Sequence, residues 1–300
     1  TRRPSRDEIA AALLEKWREE NVEYDFAVGQ ASSLSQIQNK DGDRQNLCSE
    51  DLENLIFELK SHPPLNSLQS FRDGWFYIQD PGTLLAPIEL NPQPGETILD
   101  LCAAPGGKTT FLAQLMNNTG KIVACDISEE RLKLLEENCR RLGVTCVETF
   151  QTPHPGLLPV ERGEGEKSER VQQPSFAPPK RGEGGRRPDE GKGDTILIDA
   201  PCSNSGVLRR RVDLRWRIST QEISRLQKTQ LDLLKSAAPK LKSGGVLIYS
   251  TCSLEPEENS EVVKEFLAAN PNFKLESKRE LLPFTDNVDG AFVARLRKTI

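Results

Sequence analysis

From about residue 95 onward, short apolar runs alternate with amphipathic helical stretches, and this rhythm constrains the fold more than any other feature of the chain. Thr97 to Leu101 (TILDL) follows a Pro-Gly turn and reads as a buried strand. Lys121 to Cys125 reads as a second strand, Val144 to Val147 as a third, Thr195 to Ile198 as a fourth and Gly245 to Thr251 as a fifth. Phe273 to Glu276 and Ala291 to Leu296 read as two last strands. Helices fall between them. One is capped by Ser128, carries Glu129 and Glu130 at its positive end and Leu132, Leu135, Cys139 and Leu142 on one stripe, and stops at Gly143. Another runs from Thr220 to about Lys240, and a third from Glu257 to Ala269, before Asn270-Pro271. Nearly continuous apolar strands separated by helices call for an α/β fold: a mostly parallel sheet covered on both faces.

Two regions depart from the rhythm. Residues 1–75 read as a small, α-rich region. Ser5-x-x-Glu8 is a capping box with Ile9, Leu13 and Trp17 on one face, and Ser49 opens a second helix with Leu52, Leu55, Ile56 and Leu59 as its stripe. Residues 153–193 are rich in Pro, Gly, Glu, Arg and Lys without apolar period, and read as an inserted, solvated loop.

Composition removes several function classes. No apolar run reaches the ~20 residues needed to cross a bilayer, and no secretory signal follows Arg2-Arg3. We therefore expect a cytoplasmic monomer with no membrane partner. The net charge of −5 supplies no bulk basic field, so a nucleic-acid contact must come from a local patch. The seven cysteines include no C-x-x-C pair, which argues against zinc ribbons and disulfide frameworks. With only His62 and His154, both beside proline, we expect no metal site and no Ser-His-Asp triad.

The glycine turn after the first strand, DLCAAPGGKTT at residues 100–110, lies where an α/β sheet binds its ligand. Gly106 and Gly107 admit close backbone approach. Gly107-Lys108-Thr109 copies the tail of a phosphate loop, but that loop needs glycine where Cys102 stands. Asp126 ends the second strand about 20 residues on, where a carboxylate can accept from ribose hydroxyls. A nucleoside ligand without a phosphate loop points to S-adenosylmethionine.

Two cysteines follow the fourth and fifth strands, in Asp199-Ala-Pro-Cys202 and Ser250-Thr-Cys252. Both strands end on the same sheet edge as the glycine turn, so both thiols belong at that edge. A thiol beside a nucleoside cofactor suits methylation of a pyrimidine C5. That carbon is a poor nucleophile until a thiolate adds to C6, after which C5 attacks a methyl donor, loses its proton, and the thiol leaves.

Four blocks carry a family resemblance: FRDGWFYIQDPGTLLAP at 71–87, DLCAAPGGKTT at 100–110, DAPCSNSGVLRRRVDLRW at 199–216 and YSTCSLEPEENSEVV at 249–263. Together they resemble the Nop/Sun RNA cytosine-5 methyltransferases, most closely the bacterial RsmB (Sun, Fmu) branch, over about residues 60–300. The resemblance implies a Rossmann-like class I methyltransferase fold, a seven-stranded sheet with a final antiparallel pair, S-adenosylmethionine as donor and RNA, first of all 16S ribosomal RNA, as substrate. By resemblance Cys252 is the nucleophile, Cys202 assists product release, and Asp199 contacts the base and the cofactor region. Cys102, Ala103, Ala104, Pro105, Gly106, Gly107, Lys108 and Asp126 match the cofactor site. It also implies a boundary near residue 75, with a linker and small substrate-binding region before a catalytic domain at 76–300.

The chain departs from that pattern in three places. The family's Asp after strand three is absent from Val147-Glu-Thr-Phe-Gln-Thr152, leaving Gln151 or Thr152 in its place. The insertion at 153–193 follows directly. Residues 1–75 do not resemble the NusB-like RNA-binding domain with which the branch usually begins. After the Pro-Cys loop, Arg209, Arg210, Arg211, Arg215 and Arg217 surround Trp216, a composition suited to phosphate contact and base stacking. Two other readings stay open: the same chemistry on transfer RNA, and a catalytically weak RNA-binding factor of ribosome assembly.

Overall fold

In the computed structural model, residues 6–26, 56–152 and 192–299 are described. One sheet is built from β3 (Thr97–Leu101), β4 (Lys121–Asp126), β5 (Val147–Gln151), β6 (Gly193–Asp199), β7 (Leu241–Thr251), β8 (Phe273–Leu281) and β9 (Ala291–Lys298). Their order is β5-β4-β3-β6-β7-β9-β8. The first five are mutually parallel, and β9 and β8 complete the edge antiparallel. This is the Rossmann-like arrangement expected from the alternation, and it brings the ends of β3, β4, β6 and β7 to one edge.

Side-chain alternation explains the two covered faces. Ile98, Ile122, Leu197 and Ile248 point to one face and pack under α2 (Leu85–Leu90) and α3 (Gly107–Leu115). On that same face α4 (Glu129–Arg141) lays Leu132, Leu135 and Cys139 on Ala103, Ala104 and Ala124. Leu99, Val123, Ile198 and Tyr249 point to the opposite face, under α5 (Thr220–Ala237) and α6 (Ser260–Ala269). Full burial of each such side chain is worth about 1.5–3 kcal/mol, so period-2 alternation fixes the register of every strand.

The third strand lies three residues later than the sequence reading placed it. The Asn118 carboxamide oxygen accepts from the backbone N–H groups of Thr145 and Cys146 (2.9 and 3.3 Å), and Val144 N–H closes α4 on Cys139 O. These bonds hold 144–146 in a turn, and pairing with β4 begins at Val147.

The N-terminal region departs from its reading only at the end of the expected second helix. It contains α1 (Arg6–Glu19), but β1 (Glu23–Phe26) and β2 (Phe57–Ser61) form a two-stranded antiparallel sheet beside it. Ile56 and Leu59 therefore do not share a helical stripe: Leu59 pairs with Tyr24, and Ile56 packs into the main core. The alternation Phe57-Glu58-Leu59-Lys60 is a period-2 signal that outweighs the helical spacing. Ser49, Leu52 and Leu55 lie outside the described residues, as does nearly all of the 153–193 insertion. Trp17 is the hub, with Tyr24, Phe57 and Phe76 at ring-centroid distances of 5.4, 5.5 and 5.1 Å. Arg141, at the end of α4, ties this region to the sheet by donating to Phe71 O and Phe76 O (2.8 and 3.0 Å) while stacking over the Phe71 ring.

Candidate active site

The glycine turn is assembled by backbone constraints. Cys102 has φ +60 and Gly106, the N-cap of α3, has φ +103. A Cβ on Gly106 would stand 2.9 Å from Leu135 Cγ, and one on Gly107 would stand 2.7 Å from Gln79 Oε1. Gly106 is thus required by its backbone conformation, while a side chain at position 107 would have to displace the end of Gln79. Asp100 underlies the turn. Its Oδ2 accepts from the Thr109 hydroxyl at 2.6 Å, while its Oδ1 is buried without a hydrogen-bond partner. Burial pushes the Asp100 carboxyl up to about 7, against the opposing Thr109 hydrogen bond. Burial likewise raises the Cys102 thiol, which makes that sulfur inert.

Asp126 stands where a ribose acceptor is expected, at the end of β4. Its Oδ1 accepts from Ser128 N–H (3.0 Å) and its Oδ2 from Ala104 N–H (3.2 Å), which locks strand two to the glycine turn. The carboxylate is only 3% exposed, because Arg131 crosses it with an Nη1–Oδ2 distance of 3.3 Å and also donates to Ala104 O. At the end of β5 the Gln151 amide donates to Ile127 O (3.2 Å), and Thr152 N–H donates to Asp126 O. Gln151 and Thr152 therefore lie beside Asp126 at the ends of β4 and β5, and neither carries a charge. These features fit a nucleoside cofactor: two adjacent glycines let backbone approach a ligand, a buried Asp100 oxygen lacks a partner, and a carboxylate ends the next strand.

Lys108 and Asp199 join this turn to the cysteine loops. The Lys108 ammonium lies 2.7 Å from Asp199 Oδ2. Burial alone would lower the lysine, but the Asp199 carboxylate overrides it and holds Lys108 above its ordinary value. Asp199 in turn precedes Cys202, whose Sγ is 3.4 Å from Cys252 Sγ. The hydrogen bond to Cys252, together with burial, pushes the Cys202 thiol well above its usual range, so it stays protonated.

Two residues that the sequence reading missed organise the pair. Glu258 is fully buried and takes four donors: Ser203 N–H and Gln230 Nε2 on Oε1 (2.9 and 3.1 Å), and the hydroxyls of Ser203 and Ser253 on Oε2 (2.5 and 2.6 Å). One carboxylate thereby grips the residue after each cysteine. Asn204 reaches both, donating to Cys202 O (2.8 Å) and lying 2.9 Å from Cys252 Sγ through Oδ1. Glu258 sits in the block that carries Cys252, but nothing in its spacing reveals that it faces the other loop.

The basic patch divides. Arg210 pairs with Asp289, Arg209 lies 3.3 Å from Asp80 and Arg211 pairs with Asp213 at 3.0 Å. The first two staple the Pro-Cys loop to neighbouring segments. Arg215 is exposed, and Trp216 is 89% exposed. Phe284, in the short helix Pro283–Asp286 before Asp289, is 77% exposed. Among the described residues, no group of three or more His, Cys, Asp or Glu could hold a metal ion, and no helix is long and apolar enough to cross a membrane.

Comparison with known proteins agrees with this geometry. The model of the family described as 16S rRNA methyltransferase RsmB/F matches residues 87–155 and 183–297. The chain is 36% identical over 251 residues to "Ribosomal RNA small subunit methyltransferase B" of Salmonella arizonae, covering 80% of this chain and 51% of that one. The Escherichia coli O139:H28 protein of the same name matches with the same identity and coverage. The chain thus spans about half the length of these curated relatives. Among solved structures, NSun6 from Pyrococcus horikoshii with SFG has a TM-score of 0.64 and 32% identity, covering 81% of this chain and 59% of that one. A methyltransferase homolog protein from the same organism has a TM-score of 0.66 and 29% identity, covering 96% of this chain and 82% of that one.

Proposed function

The chain belongs to the RsmB/F family of 16S rRNA methyltransferases, whose methyl donor is S-adenosylmethionine, and from that premise we propose that it carries the catalytic part of an RNA cytosine-C5 methyltransferase acting on 16S ribosomal RNA. The observation that carries this reading is the meeting of two thiols, Cys202 and Cys252, 3.4 Å apart, on the loops that follow adjacent strands β6 and β7. Simple alkyl transfer to an exposed nitrogen or oxygen needs no thiol; C5 of cytosine does.

In this reading the Cys252 thiolate forms a bond to C6 of the cytosine, and the C5=C6 pair becomes nucleophilic at C5. Asp199, fixed by Lys108, faces the base near N3, where a carboxyl group stabilises the adduct. S-adenosylmethionine, when bound, supplies the methyl group that C5 acquires. A base takes the C5 proton, its C–H electron pair reforms the C5=C6 bond, and the C6–S pair leaves on the Cys252 sulfur, to which the Cys202 thiol, kept protonated, donates a hydrogen bond. Residues 102–108 and Asp126 hold the cofactor, with Gln151 or Thr152 in place of the family's acid. Arg215 and Trp216, with the outer faces of Arg209, Arg210 and Arg211, contact RNA. Residues 1–75 serve as linker and small substrate-binding region before a catalytic domain at 76–300, and the protein works as a cytoplasmic monomer.

RNA transcribed with 5-fluorocytidine tests the chemistry. Fluorine cannot leave C5 as a proton is lost, so the adduct persists through denaturing electrophoresis. Wild type should give a protein–RNA band and Cys252→Ala none. A band that survives Cys252→Ala but not Cys202→Ala would reverse the two roles.

A further inference from the structure

Asn204 stands between the two thiols in a left-handed backbone conformation, φ +59. Its Nδ2 faces the Cys202 carbonyl at 2.8 Å. A carbonyl only accepts, so the amide orientation is fixed and Oδ1 must be the atom 2.9 Å from Cys252 Sγ. An amide oxygen also only accepts, so this contact requires a proton on Cys252; a thiolate there would face lone pairs. Because the single Cys252 proton is committed to Asn204, the 3.4 Å sulfur contact must run from the Cys202 S–H to the Cys252 sulfur.

We propose that Asn204 is a positioning residue that holds the Cys252 sulfhydryl neutral and aimed in the resting site, and that attack requires this hydrogen bond to open. The function of the bond rests on Cys252 being the nucleophile. Other charged groups also face Cys252. Lys108 comes from α3 and is paired with Asp199; Arg210 comes from the Pro-Cys loop and is paired with Asp289; Glu258 lies behind Ser203 and Ser253. Both cations are offset by their carboxylates, and Glu258 is saturated by four donors. The two groups in direct contact oppose each other: the Cys202 S–H favours a thiolate on Cys252, and Asn204 Oδ1 favours the thiol. RNA that displaces the Asn204 side chain leaves only the activating contact, which ties nucleophile formation to substrate arrival and protects an idle thiol.

The test is the pH dependence of Cys252 alkylation by iodoacetamide in the RNA-free protein, read by peptide mass spectrometry. Asn204→Gly keeps the left-handed backbone and removes the acceptor; Asn204→Asp keeps the shape and adds charge. Asn204→Gly should lower the alkylation midpoint and speed labelling below it about tenfold, and Asn204→Asp should raise the midpoint. An unchanged midpoint in both variants, with S-adenosylmethionine affinity retained as the sign of an intact fold, would overturn the proposal. A midpoint raised by Asn204→Gly would overturn it too, because it would mean that the amide donates to a thiolate. The 5-fluorocytidine trap reports separately on whether Cys252 is the nucleophile: its failure with the alkylation shift intact would leave the hydrogen bond standing and remove its catalytic meaning.

Discussion

Cys202 and Cys252 are 50 residues apart in the chain and 3.4 Å apart at their Sγ atoms. Parallel pairing of β6 with β7 brings their loops to one edge, and Glu258 sets the final distance by gripping Ser203 and Ser253. Each buried donor left without its acceptor costs about 1–3 kcal/mol. Glu258→Ala strands several donors at once, so urea unfolding should show a loss of at least ~3 kcal/mol. Glu258→Gln keeps the volume and one acceptor. It should fold but lower kcat more than tenfold, with S-adenosylmethionine affinity unchanged, because only the spacing of the cysteine loops is altered.

The Lys108–Asp199 pair supports a second prediction. Removing one member of a largely buried ion pair leaves the other charge uncompensated, whereas removing both does not. Lys108→Gln and Asp199→Asn should each weaken S-adenosylmethionine binding and stability. In the double variant stability should recover, with a coupling energy of about 2 kcal/mol in a double-mutant cycle. Activity should not recover, since in the proposed mechanism Asp199 also acts at the base.

Asp100 gives the protein a pH signature. Its carboxyl is raised from an ordinary 3.8 to about 7 by burial. The folded state therefore holds a proton that the unfolded state has lost between these values, so stability falls as pH rises from about 4 through 7 and levels off above. At about 1.4 kcal/mol per unit, the fall is at most roughly 4 kcal/mol. Asp100→Asn should be flatter across that window in urea titrations at pH 5 and pH 8. Equal pH dependence in both proteins would contradict the assignment.

On the RNA side, the partition of the arginines predicts distinct phenotypes. Trp216→Ala should raise the RNA KM about tenfold, the usual worth of one stacked base, and leave cofactor affinity alone. Arg215→Ala should reduce the salt dependence of RNA binding by about one phosphate contact. Arg210→Ala removes the closer of two arginines on buried Asp289 and leaves Arg209 at 3.7 Å. It should lower the thermal midpoint more than it changes the salt slope.

The sheet was legible because strand alternation and the glycine turn are local signals. Thr97–Leu101 lies where TILDL placed it, and the two cysteine loops meet because any parallel sheet would bring them to one edge. What stayed hidden depends on long-range contacts. Asn118 delays β5 by three residues from a loop 27 residues away. Residues 57–60 carry both a helical and an alternating pattern, and pairing with β1 decides between them. Glu258 and Asn204 carry no spacing signature, since their partners lie on the opposite loop. The arginine run reads as one patch in sequence, and only Asp80 and Asp289, far away in the chain, show that part of it is structural.

The most direct test of the account is methyl transfer from labelled S-adenosylmethionine to unmodified 16S RNA, transfer RNA and duplex DNA, with wild type beside Cys252→Ala. The account predicts label at C5 of cytosine in 16S RNA for the wild type and none for the variant. Label on another atom, or turnover that survives Cys252→Ala, would contradict it.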